Sequence, residues 1–305
     1  MFQIVFGQNV ILFIYLMIGC LMVALKKSSR DEVRGLSFLV LHVALTSSVF
    51  DSFQIAFSQE KLNMILYTFL ITLIFIFLCA VISLSLSRVF RINIDKRSIW
   101  QCCVVFSNIL FIGIPIVRSL YGEEGLIILV SFNTIFNIFL FSVGPSAYTG
   151  KIHFSLSKVI RTPAIIGMVI GFICFLLDFQ VPDILGTPIR TLSMFTAPLS
   201  MVVNGIVFFG TPILVLLKRK DTIFFCISKL IILPLVVMVI FRPFIQNDMI
   251  FGMLVLIAAM PAGTANTVMA EEHHGKGKLA SDYVVVSTLI SLVTIPIMMT
   301  ISSWL

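Results

Sequence analysis

The sequence predicts an all-α integral membrane protein of ten transmembrane helices, arranged as two inverted five-helix repeats. Hydrophobic residues make up 59% of the 305 and charged residues only 11%, and the mean hydropathy of +1.11 lies outside the range of soluble domains. Apolar runs of about 20 residues recur with short charged gaps, which leaves no length for a folded soluble domain. Two of these runs, 106–125 and 254–270, carry Gly, Pro and Asn near their middle. Lipid cannot satisfy backbone groups freed at that depth.

In chain order the spans are predicted near 8–25, 36–57, 64–87, 98–120, 125–143, 159–177, 191–217, 221–241, 249–270 and 283–305. The first has no basic region before it, so it reads as a span rather than a signal peptide. Loops after odd-numbered spans hold sixteen Lys and Arg, even-numbered loops hold four, and Lys229 is left inside a span. That asymmetry predicts both termini outside the cytoplasm. Ten spans divide into halves 1–143 and 159–305 joined by a cytoplasmic linker, 144–158. A repeat with an odd number of spans inserts its second copy upside down. Pro115 and Pro261 occupy corresponding places, each followed by an acidic pair, Glu123-Glu124 or Glu271-Glu272.

The net charge of +7 is spread singly or in short loop clusters without interleaved aromatics, so it reads as topology and not as nucleic-acid binding. The six cysteines all fall in apolar spans without metal-ligand spacing and read as packing residues.

Pro115 removes its own N–H and clashes with the carbonyl of Phe111, while Gly113 opens the backbone without steric cost. A helix break is predicted there. Pro261 acts in the same way on Ile257 and is followed by Gly263 and the small polar run Thr264, Ala265, Asn266, Thr267. Two interrupted spans in corresponding halves point to a transporter; a pair of Pro-kinked packing helices is the bland alternative.

Span two carries His42, Thr46 and Asp51. Asp51 is either a coupling-ion or proton site or a hydrated interfacial acid, the second being favoured. Lys229 lies roughly 13 Å in from the cluster Lys218-Arg219-Lys220. An ammonium at that depth is costly unless it meets a partner, a cavity or an anion. Asn133 and Asn137 share one helix face and are either interhelical glue or ligands. Gly167 and Gly171 have the spacing of close helix packing.

With these residues in view, Ser107-Asn108, Gly113-Ile114-Pro115, Tyr121-Gly122 and Gly125-Leu126 resemble the pattern of the auxin efflux carrier family of membrane transport proteins, which includes bacterial malate and malonate permeases. Ala258-Ala259-Met260-Pro261-Ala262, Ala270-Glu271-Glu272, Ser287-Thr288-Leu289 and Pro296 resemble its C-terminal pattern. Ala197-Pro198-Leu199, Gly205, Lys229 and Pro234 are similar to it as well. The resemblance implies a fold like that of sodium/proton antiporters and bile acid symporters. Broken fourth and ninth helices would cross near the midplane, and a transport domain would move against a scaffold of helices one, two, six and seven. Asn108, Gly113 and Pro115 would sit on the first crossing, and Pro261, Ala262 and Asn266 on the second. Many relatives carry a Pro where this chain has Thr46, beside an unusual His42.

The expected activity is secondary transport of a small organic anion such as malate, malonate or an auxin-like carboxylate, by alternating access in the plasma membrane. Half-helix N-termini at Pro115 and Pro261 would face the carboxylate. The expected binding set is Asn108, Gly113, Pro115, Asn133, Asn137, Pro261, Ala262, Asn266 and Lys229. Asp51 or Glu124 would titrate in a proton-coupled carrier, whereas freed carbonyls would serve sodium. Other expected partners are the bilayer and, as an open assembly, a second copy in a homodimer; no cofactor, metal or nucleic acid is expected. The rivals are a sodium-coupled symporter of the same fold, a channel or sensor, and an intramembrane enzyme. For an enzyme, the one dense set is Glu271-Glu272-His273-His274, which reads as a solvated loop.

Overall fold

The computed structural model describes residues 1–27, 33–142, 144 and 162–305. Among them the regular structure is helical, apart from one isolated backbone bridge. Six segments are long and apolar enough to cross a membrane: Phe2–Ala24, Gln59–Val89, Ile109–Leu140, Asp183–Phe208, Lys220–Phe241 and Gly277–Ser302. Gly35–Asp51, Pro163–Leu176 and Asp248–Ala259 are shorter apolar helices. The predicted linker, 144–158, lies outside the described residues except for Gly144.

The helices are α1 (Phe2–Ala24), α2 (Val33–Phe38), α3 (Leu45–Asp51), α4 (Gln59–Val89), α5 (Ile94–Val105), α6 (Ile109–Ser142), α7 (Pro163–Leu176), α8 (Asp183–Met194), α9 (Thr196–Phe208), α10 (Ile213–Leu216), α11 (Lys220–Ile227), α12 (Leu233–Phe241), α13 (Asp248–Ala259), α14 (Ala265–His274) and α15 (Gly277–Ser302). A wider π turn, Leu39–Ala44, joins α2 to α3, and another, Ser228–Ile232, joins α11 to α12. Pro234 lacks the N–H that Leu230 would accept, which accounts for the second widening.

Local chemistry sets some of the ends. Ser58 caps α4 by accepting from the Lys61 N–H, and Asn247 caps α13 by accepting from the Ile250 N–H. The predicted seventh span is displaced: its helix runs from Asp183 to Phe208. Gly210, at φ 78°, and Pro212 end it before the last nine residues assigned to that span.

Gly122, at φ 66° and ψ −156°, divides α6 into limbs 109–121 and 123–142. An L side chain resists that conformation and glycine does not. The limbs fold back on each other: a Cβ at Gly113 would meet Leu129, and one at Gly125 would meet Val117. The predicted boundary between spans four and five lies at this bend.

Two helix pairs approach backbone to backbone. A Cβ on Gly205 would lie 2.0 Å from the Leu16 carbonyl oxygen, and one on Gly19 would lie 2.1 Å from that of Val202, so α1 and α9 touch along both glycines. The Cys20 thiol donates to the Gly205 carbonyl at 3.2 Å in the same seam. Gly167 and Gly171 of α7 rest on the carbonyls of Thr46 and Phe50, which is the packing role their spacing predicts. On the other side, Asp221 receives Arg219 at 2.8 Å, Lys96 at 3.4 Å and the Tyr283 hydroxyl at 2.9 Å, and Asp282 receives Arg219 at 2.8 Å. This network ties α5, α11 and α15 together at one end.

Candidate functional site

Between α13 and α14 the chain unwinds at 260–264, where Pro261 was expected to break it. Its partner stretch is 106–108, between α5 and α6, and not Gly113-Pro115. Pro115 lies inside helical backbone, six residues into α6, and Gly113 packs against Met260 and Leu129. A proline early in a helix costs one hydrogen bond and is accommodated by a small adjustment. Unwinding instead occurs where a second chain segment supplies partners for the freed groups.

Those partners are specific. Ser107 and Ala262 face each other as an antiparallel bridge: the Asn108 N–H donates to the Pro261 carbonyl at 2.9 Å, and the Gly263 N–H to the Phe106 carbonyl at 2.9 Å. Gly263 must be small, because a Cβ there would lie 2.9 Å from the Ser107 carbonyl oxygen. The Asn266 amide donates to the Phe106 and Gly263 carbonyls, each at 2.9 Å, so it holds the crossing together. Pro261 leaves the Ile257 carbonyl without its helical donor, and the Ser107 hydroxyl takes it at 2.9 Å. The Lys229 ammonium donates in turn to the Ser107 Oγ at 2.6 Å. The Ala262 N–H, also lost from the helix, reaches the Ser287 Oγ at 3.2 Å.

Beside the crossing is a cavity of about 130 Å³ lined by Asn108, Asn133, Asn137 and Asn266, with Ser107, Thr162 and Thr264. It lies between the unwound stretches, the returning limb of α6, and Leu41, Leu45 and Ala164 from the glycine-packed helices. Ile109, Leu110 and Phe111 at the start of α6, and Ala265 at the start of α14, line it too. Helix N-termini carry unpaired N–H groups and partial positive charge. The two N-termini at the site are therefore those of Ile109 and Ala265, and not Pro115 and Pro261 as expected. Asn108 is 6% exposed, and its amide nitrogen has no hydrogen-bond partner. A second cavity of about 270 Å³ shares Leu41, Phe111 and Thr264 with the first and extends past Asn204, Thr267 and Ser281.

Of the residues expected at the site, the four asparagines converge on one cavity. Pro261 and Ala262 contribute buried backbone to the crossing, and Lys229 stands behind Ser107 without lining the cavity. Asp51 lies apart, 3.9 Å from Arg190 and beside Arg118 and Glu123. Glu124 is exposed at the α6 bend. Ser107 and Ser287 were quoted only as parts of motifs, and their roles depend on where Pro261 places Ile257 and Ala262. The side chains of Glu272, His273 and His274 lie outside the described residues; Glu271 accepts from the Gly277 N–H at 2.8 Å.

Two unwound stretches that pair beside a polar cavity are an arrangement found in membrane transporters. The family model described as Membrane transport protein matches residues 4–149 and 148–299, so the chain belongs to that family, the auxin efflux carriers. It is also similar to a curated protein of Methanothermobacter thermautotrophicus described as an uncharacterized transporter, 24% identical over 291 residues, which cover 93% of this chain and 94% of the relative.

Proposed function

We propose that this transporter is a secondary carrier of a small organic anion, of the class of malate, malonate or an auxin-like carboxylate, working by alternating access. The observation that carries this reading is the convergence of two helix N-termini and four asparagine amides on one cavity at the crossing. The helix N-termini and the partnerless Asn108 amide nitrogen suit a carboxylate, whereas Asn266 spends its donors on the Phe106 and Gly263 carbonyls. Unwound backbone beside a cavity is where carriers hold their cargo.

In this reading the helices make ten passes in two inverted sets of five. Passes four (94–121) and nine (248–274) are the unwound, crossing ones, and the two stretches matched by the family model support that division. The close pairs α1–α9 and α3–α7 form the scaffold, and the crossing helices move against it. Both termini lie outside the cytoplasm of a plasma membrane in this reading, which the asymmetry of the basic loops supports.

The test is uptake of labelled malate, malonate and indole-3-acetate into proteoliposomes, comparing wild type with Asn108→Ala. Saturable uptake lost in the variant is the expected result. Uptake that rises linearly with concentration would indicate a channel, and no uptake of any acid would overturn the reading.

A further inference from the structure

Lys229 is the only charged side chain with none of its surface exposed among the described residues. It takes no part in the ion pairs found there. Its one hydrogen bond among the described residues is to Ser107, which lines the cavity, so a single hydroxyl separates the ammonium from whatever occupies that space. The π turn Ser228–Ile232 carries Lys229, and Pro234 just beyond it accounts for the widened turn. An unpaired buried charge is strongly disfavoured until an opposite charge arrives.

Among the described residues, the lining of both connected cavities contains no Lys, Arg, His, Asp or Glu. One carboxylate at the crossing thus faces one fixed positive charge, and a second would lie against uncharged walls. Three carbonyls at the crossing are engaged as well: Ile257 by Ser107, Pro261 by Asn108, and Phe106 by both Gly263 and Asn266. A dissolved cation would have to compete for them.

Building on the carrier reading, we propose that Lys229 is the built-in counter-charge of the cargo, so that the protein carries monocarboxylates and needs no sodium ion to do so. The loaded site is then electrically neutral as it moves, and the empty site returns with one positive charge.

The experiment is exchange in proteoliposomes preloaded with one acid, using acetate, lactate and pyruvate against malonate and malate. External sodium is replaced by choline, and a potential is imposed with potassium and valinomycin. The wild type is expected to exchange a monocarboxylate at a rate indifferent to sodium and to potential. Lys229→Gln, which loses the charge, is expected to bind more weakly and to exchange at a rate that a potential of about 100 mV changes severalfold. Lys229→Arg, which keeps the charge, guards against a folding defect and is expected to stay indifferent to potential. Exchange of dicarboxylates alone, a sodium requirement, or a Lys229→Gln variant with unaltered kinetics and voltage response would each overturn the assignment while leaving a carrier. Failure to exchange any of the acids would remove the carrier reading and this one together.

Discussion

Ser107→Ala tests the crossing at the atom where three parts of the chain meet. The hydroxyl donates to the Ile257 carbonyl at 2.9 Å and accepts from Lys229 at 2.6 Å. Removing it leaves a buried carbonyl that Pro261 has already deprived of its helical donor, a loss of about 1–3 kcal/mol. It also removes the acceptor of a buried ammonium, where a hydrogen bond to a charged group contributes about 1.5–3 kcal/mol. One substitution does not forfeit both in full, because neighbours relax, so about 3 kcal/mol is the expected loss. For a chain of this size that lowers the thermal midpoint by roughly 5 °C. Unfolding in detergent followed by tryptophan fluorescence is the assay. Trp100 is fully buried on α5, the helix leading into the crossing, and stacks edge-on against Phe225. Ser85→Ala, which loses only an exposed bond to the Val81 carbonyl, is the control, and Ser107→Thr keeps the hydroxyl. A Ser107→Ala midpoint that matches the Ser85→Ala midpoint would refute the reasoning.

Three further substitutions separate the roles assigned above. Asn108→Ala removes a buried amide nitrogen that has no partner, so the thermal midpoint should hold or rise while anion uptake falls; a drop of more than about 1 kcal/mol in stability would show that the amide is structural. Pro115→Ala should leave uptake within about twofold of wild type and stability unchanged or higher, because the helix already continues through that position, whereas Pro261→Ala should abolish uptake by restoring the helical donor to Ile257. Equal transport by the two proline variants would argue against the crossing as described. Gly205→Ala places a methyl 2.0 Å from the Leu16 carbonyl oxygen and must separate α1 from α9, costing about 1–3 kcal/mol in thermal unfolding, while Gly210→Ala, with open space around it, reports only the strain of its positive φ.

The residues predicted to matter were largely the residues found together, but their jobs were partly exchanged. Asn108, Asn133, Asn137 and Asn266 stand out in sequence because a polar amide in an apolar run needs a reason, and all four reach one cavity. Asn266 nevertheless spends its donors on two backbone carbonyls 160 and 3 residues away. No local rule reveals that. Lys229 stood out by its depth, yet its partner Ser107 is 122 residues distant.

By itself the sequence determined that the chain is helical and built for a bilayer, and that Pro261 breaks a helix, because these follow from composition, from the length needed to cross hydrocarbon and from a missing N–H. Only the tertiary structure decided that the first break falls at Ser107 and not at Pro115. A helix unwinds in an apolar interior only where its freed groups find new partners, and those partners, Pro261, Gly263 and Asn266, come from the other half of the chain.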